Sequence, residues 1–176
     1  MDEDLEMLIP EETIRELVAG LAQRISRDYA GKDVLLISVL KGAAIFTTDL
    51  MRAMTIPSTI EFVQVSSYGN DTVSSGTATM TRDINQDIRG RHILLVDCII
   101  DTGETLRFLF NTLNKRNPSS IEAVVLLDKK ARRKTAVQVK YIGIDAPDAF
   151  LVGYGLDSAD QYRNLPYIAA LKPDAR

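Results

Sequence analysis

Residues 94–106 read LLVDCIIDTGETL, and no other stretch of the chain constrains its fold as tightly. An apolar run meets an acid, passes a short Thr-Gly turn and leaves as a helical pattern. Ile93, Leu94, Leu95 and Val96 form the continuous apolar strand expected in a parallel sheet covered on both faces. Leu106, Leu109, Phe110 and Leu113 then recur at helical spacing. Between them, Asp101, Thr102, Gly103, Glu104 and Thr105 supply two hydroxyls, a permissive glycine and the free N–H groups of a helix start, which together can hold a phosphate. Asp97 and Asp101 stand at the carboxyl end of the strand, where open α/β sheets bind ligands.

A strand-to-helix turn uses Asp, Thr and Gly for capping alone, so a lone DTG is weak evidence. Two spaced acids, branched aliphatics and a periodic helix around it point instead to a ligand site. The chain has no GxxxxGK[ST], and no GxGxxG follows a strand, so neither a P-loop nor a dinucleotide fingerprint is present.

The remaining pattern alternates strands with helices. Ile14, Leu17, Val18, Leu21 and Ile25 share a helix face that Pro10, Glu11 and Glu12 open. Strands are expected over residues 34–39, 60–65, 77–81, 121–127 and 139–144, and a helix over 43–54. Residues 66–76, rich in Ser, Gly, Asn, Asp and Thr, read as a mobile loop, and 129–134 as a basic run in which Lys130, Arg132, Arg133 and Lys134 make a solvated edge. The fold class is therefore α/β, a mostly parallel twisted sheet flanked by helices. At 176 residues it is expected to be a single domain. The core spans about 10–145, and a small hood comes from 146–176 plus the N-terminal segment.

A net charge of −3 does not mark a nucleic-acid binder, and one cysteine cannot form an internal disulfide. The first twelve residues are acidic and lack the form of a signal peptide. No apolar run approaches the ~20 residues of a membrane span. A cytoplasmic protein without membrane or nucleic-acid partners is expected.

LLVDCIIDTGETL resembles the signature of the type I phosphoribosyltransferases, which bind phosphoribosyl pyrophosphate. The resemblance to their hypoxanthine-guanine branch extends from about residue 8 to 171. It continues through LKGA at 40–43, SSYGN at 66–70, LLDKK at 126–130, FLVGYGLD at 150–157 and QYRNLPY at 161–167. It implies displacement of pyrophosphate from the ribose anomeric carbon by a purine nitrogen, giving IMP or GMP from hypoxanthine or guanine.

By the same resemblance, Asp101 shares the purine's proton. Thr102, Gly103, Glu104 and Thr105 hold the 5′-phosphate, Glu104 through its backbone alone. Asp97 meets the ribose hydroxyls, and Lys41, Gly42 and Arg163 meet pyrophosphate. A cis Leu40–Lys41 bond is implied at the pyrophosphate loop. Lys129 donates to the 6-oxo group, Phe150 stacks on the base, and the Leu151 backbone and Asp157 read its edge. Ser67 and Tyr68 belong to a closing lid. Mg2+ is implied as cofactor, with Asp157 and Asp97 as its carboxylates, and a homodimer or homotetramer as the assembly.

Two residues depart from the family pattern. Asp97 stands where Glu is usual, and Cys98 where Asp is usual. A thiol is a poor acceptor, and losing a charge-assisted bond of roughly 1.5–3 kcal/mol implies about a ten- to hundredfold penalty. On that reading Cys98→Asp raises catalytic efficiency; the alternative is that Cys98 is a small buried residue. His92, in a strand context with no motif around it, reads as structural. A xanthine-preferring enzyme and a nucleotide-binding regulator with weakened catalysis are the competing functions.

Overall fold

The computed structural model describes residues 4–67 and 78–172. β1 (Leu5–Ile9) precedes α1 (Glu11–Asp28), β2 (Val34–Leu40), α2 (Ala44–Ala53), β3 (Ser58–Ser67) and β4 (Ala78–Arg82). β5 (His92–Ile100), α3 (Glu104–Asn114), β6 (Ser120–Asp128), a 3-10 turn (Lys130–Arg132) and β7 (Tyr141–Asp145) follow, then β8 (Leu151–Val152) and β9 (Ile168–Leu171).

Six strands form one sheet in the order β4-β3-β2-β5-β6-β7. Every pairing is parallel except that of the edge strand β4 with β3. The chain winds outward from β2 to β3, then restarts at β5 and winds the other way to β6 and β7. The order therefore reverses between β2 and β5. At such a switch point the two departing loops diverge and leave a crevice at the carboxyl ends of the strands. The loop after β2 carries Lys41 and Gly42, and the loop after β5 carries residues 101–103.

Side-chain alternation explains why β2 and β5 read as unbroken apolar runs. Val34 and Leu36 of β2, with Leu94, Val96 and Cys98 of β5, pack on the face covered by α1 and α2. Leu35 and Ile37 of β2, with Ile93 and Leu95 of β5, pack on the face that α3 covers through Leu106, Leu109 and Leu113. Successive residues point to opposite faces, and both faces are dry.

The N-terminal segment, expected as part of a cap, is a strand: β1 pairs antiparallel with β9, and β9 with β8, in a second, three-stranded sheet. Its partner lies at the far end of the chain, and at five residues it carries too little periodicity to be read locally. Of the lid, Ser67 ends β3, paired in register with Ala78, and Tyr68 lies outside the described residues. Among the described residues no helix is long and apolar enough to cross a membrane.

Candidate active site

β5 ends at Ile100 and α3 begins at Glu104, so residues 101–103 make the whole turn. Gly103 has φ +87, and a Cβ there would lie 2.9 Å from the Thr135 carbonyl oxygen and 3.1 Å from Arg133 Cδ. Conformation and space both require glycine. From behind, the Thr102 carbonyl accepts the N–H groups of Lys134 (3.0 Å) and Thr135 (3.1 Å). The N-cap residue, Gly103, has no side chain to offer α3, and Thr102 Oγ1 accepts only the Glu104 N–H, at 3.3 Å. The first turn thus keeps N–H groups for an anion, which the helix dipole favours at this end. Glu104 is exposed. A cavity of about 90 Å³ lies in front of the turn, lined by Asp97, Asp101, Thr102, Gly103 and Thr105 among others.

Asp97 reaches this cavity and Cys98 does not. Desolvation pushes the Asp97 carboxyl up to about 7, against the backbone N–H bonds of Cys98 and Ile99, which lower it. Cys98 is wholly buried on the opposite face, where its thiol donates to the Tyr154 carbonyl at 3.6 Å. Burial pushes that thiol far up, so it stays protonated. The expectation that Cys98 forfeits a charge-assisted bond at the site is therefore corrected, and with it the expected gain from a carboxylate. Cys98→Asp would set a charged oxygen against a carbonyl oxygen in the core. It is expected to lower stability by about 2–4 kcal/mol without raising kcat/KM, read by thermal unfolding and steady-state kinetics.

Asp101 has one carboxylate oxygen in use. Its Oδ2 lies 3.5 Å from Arg132 Nη1, whereas Oδ1 is buried without a hydrogen-bond partner. Beside it, the Lys129 N–H donates to the Ile100 carbonyl at 3.0 Å, extending the β5–β6 pairing. The Lys129 side chain is buried, with Nζ 4.0 Å from Asp148 Oδ1, and Arg132 Nε lies 3.8 Å from the same oxygen. Asp101, Arg132, Asp148 and Lys129 thus form one string of charges. Phe150, more than a third exposed, follows Asp148 by two residues and leads into the buried Leu151.

The basic run 129–134 is not a uniform solvated edge. The 3-10 turn folds it back, so that Arg133 pairs with the buried Asp128 and donates from Nε to the Asp101 carbonyl at 3.1 Å. Arg132 reaches the Asp101 carboxylate while staying exposed, as Lys130 and Lys134 also do, so Arg133 alone of the four leaves the surface. The available signal was Asp128: a carboxylate ending a buried strand requires a cation.

Across the crevice, the Leu40–Lys41 peptide bond is cis. Gly155, at φ +97, meets the loop that follows it: a Cβ there would lie 2.1 Å from the Gly42 carbonyl oxygen. Arg163 donates from Nη1 to the Gly155 carbonyl at 2.7 Å and from Nη2 to Asp157 at 2.8 Å and Asp160 at 3.0 Å. Its Nε is buried without a partner. Lys41 Nζ donates to Asp160 at 2.8 Å. Lys41, Gly42, Asp157 and Arg163 therefore come together, and Tyr154, touching Cys98, joins this group to β5. His92 contacts Ser120 Oγ through Nδ1 at 2.8 Å and meets the Tyr29 ring edge-on, away from both groups. A larger cavity, about 620 Å³, lies between α1, α2 and the hood, lined by Ile14, Val18, Ile45, Arg52 and Tyr154 among others, and none of the turn's residues reach it.

A family model described as a phosphoribosyl transferase domain matches residues 6–159. A hypoxanthine-guanine phosphoribosyltransferase of Dictyostelium discoideum is 42% identical over 173 residues, covering 96% of either chain. A bifunctional TilS/HprT protein of Listeria innocua is 43% identical over 168 residues, covering 96% of this chain. This chain spans 26% of that protein, about a quarter of its length. A crystal structure of a hypoxanthine phosphoribosyltransferase from Staphylococcus aureus superposes with a TM-score of 0.93 at 41% identity, covering 97% of this chain and 94% of the other. The anion turn and the switch-point sheet fall inside the matched span, and the superposition takes in nearly the whole chain. By sequence and by fold, the chain belongs to the phosphoribosyl transferase family, in its type I form.

Proposed function

We propose that this chain is a magnesium-dependent purine-salvage enzyme that makes IMP or GMP and pyrophosphate from hypoxanthine or guanine and phosphoribosyl pyrophosphate. The observation that carries the reading is the open Asp101 Oδ1, buried and unpartnered beside the start of α3. An acceptor without a partner costs roughly 1–3 kcal/mol, and a purine N–H would satisfy it.

As the purine nitrogen bonds to the anomeric carbon, the carbon–oxygen bond to pyrophosphate breaks and the leaving group takes the electron pair. Asp101 accepts the proton lost by the purine. Thr102, Gly103, Glu104 and Thr105 hold the 5′-phosphate, Glu104 by its N–H alone because its exposed carboxylate would repel the anion. Asp97 takes the ribose hydroxyls, which supply donors to its desolvated carboxyl. Lys41, Gly42 and Arg163 bind the leaving pyrophosphate. Buried Lys129 donates to the 6-oxo group, Phe150 stacks, and Leu151 and Asp157 face the base edge. Ser67 and Tyr68 belong to a lid that excludes water.

Magnesium fits this donor set. Asp157 and Asp97 offer hard oxygen ligands, but no group of three ligating side chains occurs among the described residues. That suits an ion held by one or two carboxylates, substrate oxygens and water. When bound it neutralises charge on pyrophosphate. A single transferase domain, cytoplasmic and assembled as a homodimer or homotetramer, completes the proposal; light scattering coupled to gel filtration reads the assembly.

The test is nucleotide formation from phosphoribosyl pyrophosphate and magnesium with hypoxanthine, guanine, xanthine and adenine. Hypoxanthine and guanine are expected to turn over, and adenine about a hundredfold or more less efficiently, because its 6-amino group opposes the Lys129 donor. Xanthine as the best substrate would favour the xanthine enzyme. Nucleotide binding without turnover of any base would favour the regulator.

A further inference from the structure

Asp160 lies in the hood between Asp157 and Arg163, outside every role assigned above. Its Oδ1 accepts from Lys41 Nζ at 2.8 Å and from Arg163 Nη2 at 3.0 Å. Lys41 comes from the loop after β2 and Arg163 from the hood packed on that loop, and one carboxylate oxygen is the point on which both converge. The loop is built to aim it. Ala159, Asp160 and Tyr162 all adopt positive φ, at 49°, 63° and 71°, a region non-glycine residues seldom occupy. The Asp160 N–H is tied to Asp157 Oδ2 at 2.8 Å, and Ser158 and Gln161 exchange backbone bonds across the turn. Backbone strain of this kind persists only where the surroundings over-determine it. The side chains of Asp160 and Lys41 are both more than half exposed, so a ligand can reach the pair.

We infer that Asp160 is an internal competitor of the diphosphate: its carboxylate holds Lys41 and Arg163 and must yield them before phosphoribosyl pyrophosphate or pyrophosphate can bind. This rests on the assignment of those two residues to pyrophosphate. Asp157, which shares Arg163, adds a second negative group on the same side.

The opposite role, in which Asp160 pre-positions the cations, is the weaker one. Exposed ion pairs are worth a few-fold in an equilibrium at most. A fixed carboxylate a few ångströms from an incoming diphosphate opposes it by about tenfold when partly shielded by solvent. Competition therefore outweighs positioning. A consequence follows for turnover. After the reaction Asp160 recaptures Lys41 and Arg163 and so speeds pyrophosphate release.

The test compares the full chain with Asp160→Asn, Asp160→Ala and the charge-preserving Asp160→Glu. Calorimetry reads the Kd of magnesium pyrophosphate, and kinetics read KM for phosphoribosyl pyrophosphate and for hypoxanthine. Asp160→Asn and Asp160→Ala are expected to lower the pyrophosphate Kd and the phosphoribosyl pyrophosphate KM by about 3–10-fold, with the hypoxanthine KM within twofold of wild type. Asp160→Glu should stay closer to wild type than either. Unchanged or weaker pyrophosphate binding in both neutral variants, at unchanged melting temperature, overturns the inference. So does a failure of pyrophosphate to bind any of the four proteins. If the wild type turns over no purine, the proposed function fails, while the pyrophosphate titration still decides the role of Asp160.

Discussion

Asp101→Asn is expected to lower kcat for hypoxanthine by about 10²–10⁴-fold while moving the melting temperature by less than ~2 °C. The substitution keeps the shape of the side chain and removes its ability to take a proton. Oδ1 of Asp101 is buried with no partner, and only Oδ2 approaches a cation, Arg132, at 3.5 Å. The carboxylate therefore contributes little that the folded chain needs. Had Asp101 been a capping residue, its loss would cost about 1 kcal/mol of stability and leave the rate nearly intact. The two roles differ in which measurement moves. A variant that melts several degrees lower and retains its rate would assign Asp101 to the turn alone. The KM for phosphoribosyl pyrophosphate should change little, because the phosphate is held by backbone N–H groups that Asn leaves in place.

Gly155→Ala is expected to cost about 3–5 kcal/mol of stability, roughly 6–20 °C in melting temperature, and to abolish measurable turnover in the protein that remains folded. At φ +97 an alanine is strained wherever it sits, and here its Cβ would fall 2.1 Å from the Gly42 carbonyl oxygen. The obstacle is backbone, so no side chain can swing aside. Relief requires the hood to lift from the loop after β2, separating Arg163 from Lys41. Gly20 is the natural control, because a Cβ there meets nothing within 4 Å. Gly20→Ala, in the middle of α1, should be neutral or slightly stabilising. Equal losses in the two variants would show that the hood contact is unimportant.

Local pattern specifies the contiguous parts of this chain better than the parts brought together from a distance. The β5–α3 unit was legible because strand, turn and helix are contiguous, and each level of pattern agrees. The cis bond at Leu40–Lys41 was implied by family resemblance and not by any local propensity. What failed was orientation. Asp97 and Cys98 are neighbours on one strand, so they point to opposite faces, and only Asp97 opens to the cavity. Alternation along Ile93, Leu94, Leu95 and Val96 contained that answer, but the likeness of the pair to two acids concealed it. Arg133 departs from the sequence pattern for another reason. Charge density suggests a solvated edge, and only the fold shows that a 3-10 turn carries its guanidinium group inward to Asp128 and the Asp101 carbonyl, while Arg132 stays exposed. The pairing of β1 with β9 joins the two ends of the described chain, and no local window contains it.

The anion turn at the start of α3 is the centre of the proposal, and amide chemical shifts test it most directly. In a 15N-labelled sample, IMP should shift the amides of residues 102–105 saturably, with the downfield displacement of N–H groups that donate to phosphate. Inosine, which lacks the phosphate, should leave those four amides in place while perturbing Lys129 and Leu151. IMP binding that leaves residues 102–105 unmoved, and instead shifts residues lining the cavity between α1 and α2, would contradict the assignment of this turn as the phosphate site.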